Sequence, residues 1–312
     1  MSSLLFLLLT VLQIWLVSSW MPMLHLGHPM TATNELNLTG FASQGGFGGR
    51  EAYLKQKLDH TQEVKEWSQR YFYNNRYYRK GGNVAFLMLG GMGVLDIGWV
   101  TNEKIPFVQM AKERGALMFA LEHRFYGKSR PADDLSVKNL KYLTIEQAIG
   151  DIKTFIEEMN KKHNLKDPKW IVFGGSYAGS LALWARDKYK DENLIAGAVA
   201  SSPIMRPKFD FWEATQFAEK EIQKVDKKCA ESIRIGFMQM IDMLGNQVGR
   251  SQLSELFKMR PRFLTPDLRN IQLLTSIQLN NFISAVQFRG GPYMVGGNIC
   301  HNGNNLKNQI SC

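Results

Sequence analysis

The chain has 312 residues, 45% hydrophobic and 21% charged, with 27 Gly and 10 Pro. That mixture excludes a disordered chain, a collagen-like repeat and a multi-span membrane protein, and the length suits one large domain or two smaller ones. The formal charge is +10, but the Lys and Arg residues are scattered with no long basic block, so the excess reads as a basic surface and nucleic-acid binding has no support.

At the amino terminus, Leu4 to Val17 read LLFLLLTVLQIWLV, broken only by Thr10 and Gln13, and small residues follow at Ser18 and Ser19. This is the outline of a secretory signal peptide over residues 1–19, although no Lys or Arg precedes the apolar run. An uncleaved anchor is the alternative, because no charged residue occurs before Glu35 and a span needs only about 17 to 25 residues. Cleavage is the better expectation, giving a secreted or lysosomal protein without stable membrane association. Asn37-Leu38-Thr39 is then a usable glycosylation sequon at Asn37.

Beyond the signal, the stretch from Arg50 to Tyr78 is polar and aromatic and suggests no particular element. The first clear strand is Val84 to Leu89, which stops at Gly90-Gly91-Met92-Gly93, a turn rich in the residue that frees the backbone. Phe107 to Arg114 has helical spacing, and Ala116 to Leu121 reads as a second buried strand with Glu122-His123-Arg124 at its tip. Thr144 to Lys162 is an amphipathic helix with Thr144 as its cap and an apolar stripe through Ile145, Ile149, Ile152 and Ile156. Trp170 to Phe173 is a third strand, Leu181 to Tyr189 a helix and Ala196 to Ala200 a fourth strand. Continuous apolar strands alternating with helices predict an α/β fold with a parallel sheet covered on both faces. After Pro207 the pattern turns helical, from Phe211 to about Gly245 and again from Ser251. The expected organisation is therefore a sheet domain over residues 20–205 and a helical cap over 206–312.

The chemistry concentrates at Ser176. A serine on a sharp turn between a buried strand and a helix is the nucleophile elbow of the α/β-hydrolase architecture. The turn strains the serine backbone, so residues two before and two after it must be small, and here they are Gly174 and Ala178. The elbow offers the backbone N–H of Tyr177 to a developing oxyanion, and a second donor is expected from the turn at Gly91 and Met92. An idle serine in a glycine-rich turn is the bland alternative, which the strand–turn–helix context disfavours. No Cys/His cluster has ligand spacing, and Gly45 to Gly49 lacks the strand a phosphate loop requires, so neither a metal nor an organic cofactor is expected.

Several segments carry a family resemblance. Glu122-His123-Arg124-Phe125-Tyr126-Gly127, with Ser129 following, resembles the EHRxYGxS signature of the Pro-X carboxypeptidase family of serine peptidases. Gly174 to Tyr189, GGSYAGSLALWARDKY, is similar to the family's thymus-specific branch, and Asp59-His60 with Trp67, Arg70, Tyr71 and Phe72 resembles its amino-terminal motif. The resemblance implies an α/β-hydrolase core with an inserted helical cap and a serine exopeptidase that cleaves short peptides, often next to proline, through an acyl-enzyme on Ser176. It also implies a Cys229–Cys300 disulfide within the cap, leaving Cys312 unpaired.

The chain departs from the family in places. The family's triad Asp and His follow the serine and come after the cap, so they are expected beyond Cys312, with the core lacking its last strands. None of the six histidines sits in the family's catalytic context, and His123 reads as a structural residue beside Arg124. Met92 stands where relatives usually carry glutamate, and Met259 where the family generally has a half-cystine. A catalytically incomplete product of the family, or an esterase on the same fold, are therefore competing expectations. Oligomeric state is left open.

Overall fold

The structure is a computed structural model that describes residues 48–62 and 65–287. The expected signal peptide (1–19), Asn37, Cys300 and Cys312 lie outside these residues. The described residues divide into two compact units, one up to Pro207 and one from Lys208 to residue 287.

The first unit is built on a six-stranded sheet. Its strands are β1 (Arg50–Lys57), β2 (Glu66–Asn74), β3 (Val84–Leu89), β4 (Leu117–Leu121), β5 (Lys169–Gly175) and β6 (Gly197–Ser201), in the spatial order β1-β2-β4-β3-β5-β6. β1 and β2 are antiparallel, as are β2 and β4, whereas β4, β3, β5 and β6 run parallel. The helices are α1 (Gly98–Thr101), α2 (Pro106–Arg114), α3 (Val137–Leu140), α4 (Ile145–Lys162) and α5 (Tyr177–Lys188). A mixed sheet with crossover helices and a serine after β5 is the α/β-hydrolase core that the sequence predicts.

Alternation along the strands explains why both faces are covered. Ala85, Leu87 and Leu89 of β3 join Phe119 of β4 and Trp170 of β5 in one apolar cluster with Ile152, Phe155 and Ile156 of α4. The intervening Phe86 and Met88 turn to the other face, where they meet Val100, Phe107 and Ala111. Successive strand side chains point to opposite sides, so a run without polar residues needs a helix on each side. Thr144 caps α4 as expected, its side chain accepting from the Gln147 N–H.

β1 and β2 are the elements the sequence does not announce. β1 is an edge strand whose side chains are mostly exposed, and its charged residues mask the strand alternation. In β2, Gln69 and Arg70 are buried because distant groups satisfy them. The helix after β5 also begins earlier than its apolar pattern predicts, at Tyr177, because the turn at Ser176 starts it directly.

The second unit holds α6 (Glu213–Val225), α7 (Lys227–Leu244), α8 (Gln247–Leu256) and α9 (Leu268–Gln287). The helical stretch expected from Phe211 to Gly245 is two helices. Asp226 ends the first in extended conformation, and its side chain accepts from the N–H groups of Lys228 and Cys229 to cap the second. Met240, Leu244, Leu253, Phe263 and Leu274 form its larger apolar cluster.

Candidate active site

Ser176 lies between β5 and α5 with φ 52° and ψ −127°. A non-glycine residue there is strained by contact between its Cβ and the backbone, and such strain persists only where the surroundings enforce it. Three contacts do so. The Ser176 N–H donates to the Ser201 carbonyl at 2.9 Å, tying the turn to the end of β6. A Cβ on Gly174 would fall 2.1 Å from the Ala178 carbonyl oxygen, so only glycine fits beneath the first turn of α5. Ser180 holds the segment after β6, accepting from the Ile204 N–H at 2.9 Å and donating to its carbonyl at 3.1 Å.

A second close approach lies one residue beyond Ala178. Ala178 is buried and carries its methyl without difficulty. A Cβ on Gly179 would be 3.0 Å from the Gly174 carbonyl oxygen and 3.3 Å from Pro203 Cβ. Ser176 itself is exposed, with Gly175 exposed beside it. Tyr177 is the first residue of α5, where first-turn N–H groups have no intrahelical acceptor and the helix carries partial positive charge.

The Gly90 turn lies beside this elbow. A Cβ on Gly91 would be 3.9 Å from Ala178 Cβ, and Gly90 rests on the tip of β4, its N–H donating to the Leu121 carbonyl at 2.8 Å. Met92 follows in the same turn, half-buried. Thus Ser176, Tyr177 and Gly91 gather at the carboxyl ends of β3 and β5, where α/β sheets place their ligand sites.

Next to them, His123 is buried with both ring nitrogens engaged. Nδ1 is 2.8 Å from the Arg124 carbonyl and therefore carries the proton, since a carbonyl can only accept. Nε2 is 3.2 Å from the Tyr177 hydroxyl, which donates to it. Burial pushes the His123 pKa down, and burial raises the Tyr177 hydroxyl to about 12. Both groups are therefore neutral near pH 7, and His123 has no free nitrogen to offer a serine.

Two buried ion pairs brace the site. Arg124 grips Asp151 in a fork, Nε to Oδ2 and Nη2 to Oδ1, both at 2.7 Å. His60 Nε2 is also 2.7 Å from Asp151 Oδ1, which joins the Asp59-His60 and Glu122-His123-Arg124 motifs through α4. Asp151 is the residue that sequence reasoning missed. Its signal was a lone carboxylate beside Ile149 and Ile152 on the apolar face of α4, a placement that requires a buried partner. The second pair is Arg70 with Glu122, bonded through Nε at 3.1 Å and through a short contact from Nη2. Among the described residues no cluster of three metal-ligating side chains occurs.

A strained serine between a parallel strand and a helix, with a glycine turn beside it, defines the α/β-hydrolase class. Within that class the chain belongs to the serine carboxypeptidase S28 family, which matches residues 56–308. A Caenorhabditis elegans protein named as a serine protease is 40% identical over 233 residues, 74% of this chain and 41% of its own length. Human lysosomal Pro-X carboxypeptidase is 32% identical over 241 residues, covering 74% of this chain and 47% of that protein. Human thymus-specific serine protease is 33% identical over 195 residues, covering 60% and 37%. The chain thus spans less than half the length of these relatives.

Proposed function

We propose that this chain supplies the nucleophile and oxyanion site of a serine exopeptidase acting on short peptides, often next to proline, in the secretory pathway. The observation that carries the reading is the strained, exposed Ser176 at φ 52°. Its Oγ would attack the scissile carbonyl, losing its proton to the histidine that the family places after the cap, and the N–H groups of Tyr177 and of Gly91 or Met92 would stabilise the tetrahedral oxyanion. Collapse of that intermediate would break the peptide C–N bond, return the proton to the departing amine and leave the acyl-enzyme. Family membership supports peptide rather than ester substrates, and relatives named lysosomal and extracellular support the compartment. No helix among the described residues is long and apolar enough to cross a membrane. In the same reading Asn37 is glycosylated after removal of residues 1–19, and Cys229, which is disulfide-bonded, pairs with Cys300.

A second reading is a catalytically incomplete product of the same family, and the observation that bears on it is the engagement of both His123 nitrogens, which leaves that histidine unable to stand in as the base. A serine without a base stays protonated and reacts slowly. A fluorophosphonate probe tests both. The full gene product should be phosphonylated at Ser176, and Ser176→Ala should abolish labelling. Labelling that survives the substitution would sink the nucleophile assignment, and labelling no faster than that of an ordinary surface serine would favour the second reading.

A further inference from the structure

The buried Arg70–Glu122 pair does more than neutralise itself. Glu122 is fully buried, and its carboxylate accepts from five donors. Besides Nε and Nη2 of Arg70, these are the Leu95 N–H at 3.1 Å, the Lys128 N–H at 3.0 Å and the Ser129 hydroxyl at 2.7 Å. Arg70 Nη2 also donates to the Leu95 carbonyl at 3.1 Å. Leu95 is therefore held at both its N–H and its C=O by the two members of one ion pair.

Leu95 closes the turn that Gly90 opens. Gly90 is fixed at the other end by its bond to the Leu121 carbonyl, and a Cβ there would lie 3.3 Å from Glu122 Cα. Both ends of the Gly91–Val94 segment are thus anchored to the tip of β4, one through its backbone and one through the side chain of Glu122. The surroundings are shaped to keep that carboxylate in place. Gly127 has φ 54°, and a Cβ on it would come 1.9 Å from Glu122 Oε1.

We propose that Arg70 and Glu122 are positioning residues that set the register of the Gly91–Met92 amides against Ser176. The inference rests on the oxyanion role proposed above for that turn. A buried, bidentate charge pair suits the task because its geometry is fixed by the fork of the guanidinium, which a lysine cannot reproduce. Small displacements matter here, since an oxyanion donor acts only when aimed at the developing charge.

The full gene product with Arg70→Lys or Glu122→Gln provides the test, by active-site titration with a fluorophosphonate and by hydrogen exchange. Positioning predicts that each variant is labelled to wild-type stoichiometry at Ser176 but with a rate constant lowered about ten- to a hundredfold. A merely structural role predicts the reverse, a reduced labelled fraction with an unchanged rate constant, and that result would overturn the proposal. Hydrogen exchange reads the same question without chemistry: amides from Gly91 to Leu95 should exchange faster in both variants while β3 and β5 stay protected. Unchanged exchange in that segment would also overturn the proposal. Failure of the wild-type protein to label would instead strike at the Ser176 assignment, leaving hydrogen exchange to decide whether the pair holds the turn.

Discussion

The sheet unit and the helical unit bury charge in opposite ways. In the sheet unit Arg124, Asp151, Arg70 and Glu122 are all buried and form two ion pairs whose remaining donors and acceptors tie down loops. In the helical unit the pairs of Lys208 with Glu213, Lys224 with Glu221 and Arg234 with Glu231 lie at the surface. Its buried cation, Arg250, donates to the carbonyls of Leu264 at 2.9 Å and Leu244 at 2.8 Å. The apolar residues differ as well. Both faces of the sheet are filled, whereas Phe209, Phe217 and Val225 of the helical unit are more than half exposed. The lesson is that buried ion pairs accompany placed loops: among the described residues, the unit with a strained serine to support is the one that buries both partners of a pair.

The comparison breaks most visibly at Arg124. Arg124→Met removes a fork from Asp151 and leaves that carboxylate buried with only His60 and the helix around it. Removing one partner of a buried pair costs about 3–5 kcal/mol. Denaturant unfolding followed by near-UV circular dichroism should register a loss of that order. A loss under about 1 kcal/mol would mean that Asp151 is compensated elsewhere and that the pair is no brace.

The residues involved also mark the limits of sequence reading. The parallel strands β3 to β6 were legible because each is short, apolar and bounded by turn residues, and the elbow was legible because Gly174, Ser176 and Ala178 have a steric reason for their spacing. β1 and β2 were not. Gln69 of β2 is polar yet buried, donating to the Glu122 carbonyl at 2.7 Å and accepting from Gln56 at 2.7 Å. Such partners lie on β1 and just past the end of β4, far away in sequence, so no local pattern can reveal them. The break between α6 and α7 was missed for the opposite reason. Asp226 is a strong local signal, but the apolar spacing on either side of it reads as one helix.

That break sharpens the comparison at smaller scale. In the helical unit a cap does locally what buried ion pairs do in the sheet unit. Asp226 Oδ1 accepts from the Lys228 N–H at 2.7 Å and the Cys229 N–H at 3.3 Å. Asp226→Ala should cost about 1 kcal/mol, and the loss should be confined to the helical unit. Hydrogen exchange should quicken at the start of α7 while β3 and β5 keep their protection. Faster exchange throughout the sheet would show that the two units unfold together.

The smallest effect concerns pH and His123. Its pKa is lowered from the ordinary 6.5, first by burial, with Arg124 acting the same way and the Arg124 carbonyl and Asp151 acting against it. The folded chain therefore holds His123 neutral at pH values where the unfolded chain has taken up a proton. Above pH 6.5 both states are neutral and His123 contributes no pH dependence. As the pH falls below 6.5 the unfolded state binds the extra proton, so stability declines until the folded pKa is reached. His163, whose pKa burial also lowers, adds a slope of the same sign. Both lie in the sheet unit, and among its described residues the helical unit has no histidine. His123→Asn keeps an amide donor near the Nδ1 position for the Arg124 carbonyl while removing the titration. The expected result is a shallower fall in the melting temperature of the sheet unit between pH 7 and 5, with His163 contributing to the slope that remains. Parallel profiles for variant and wild type would mean that His123 titrates alike in both states, and that its bond to Tyr177 does not hold the ring in its neutral form.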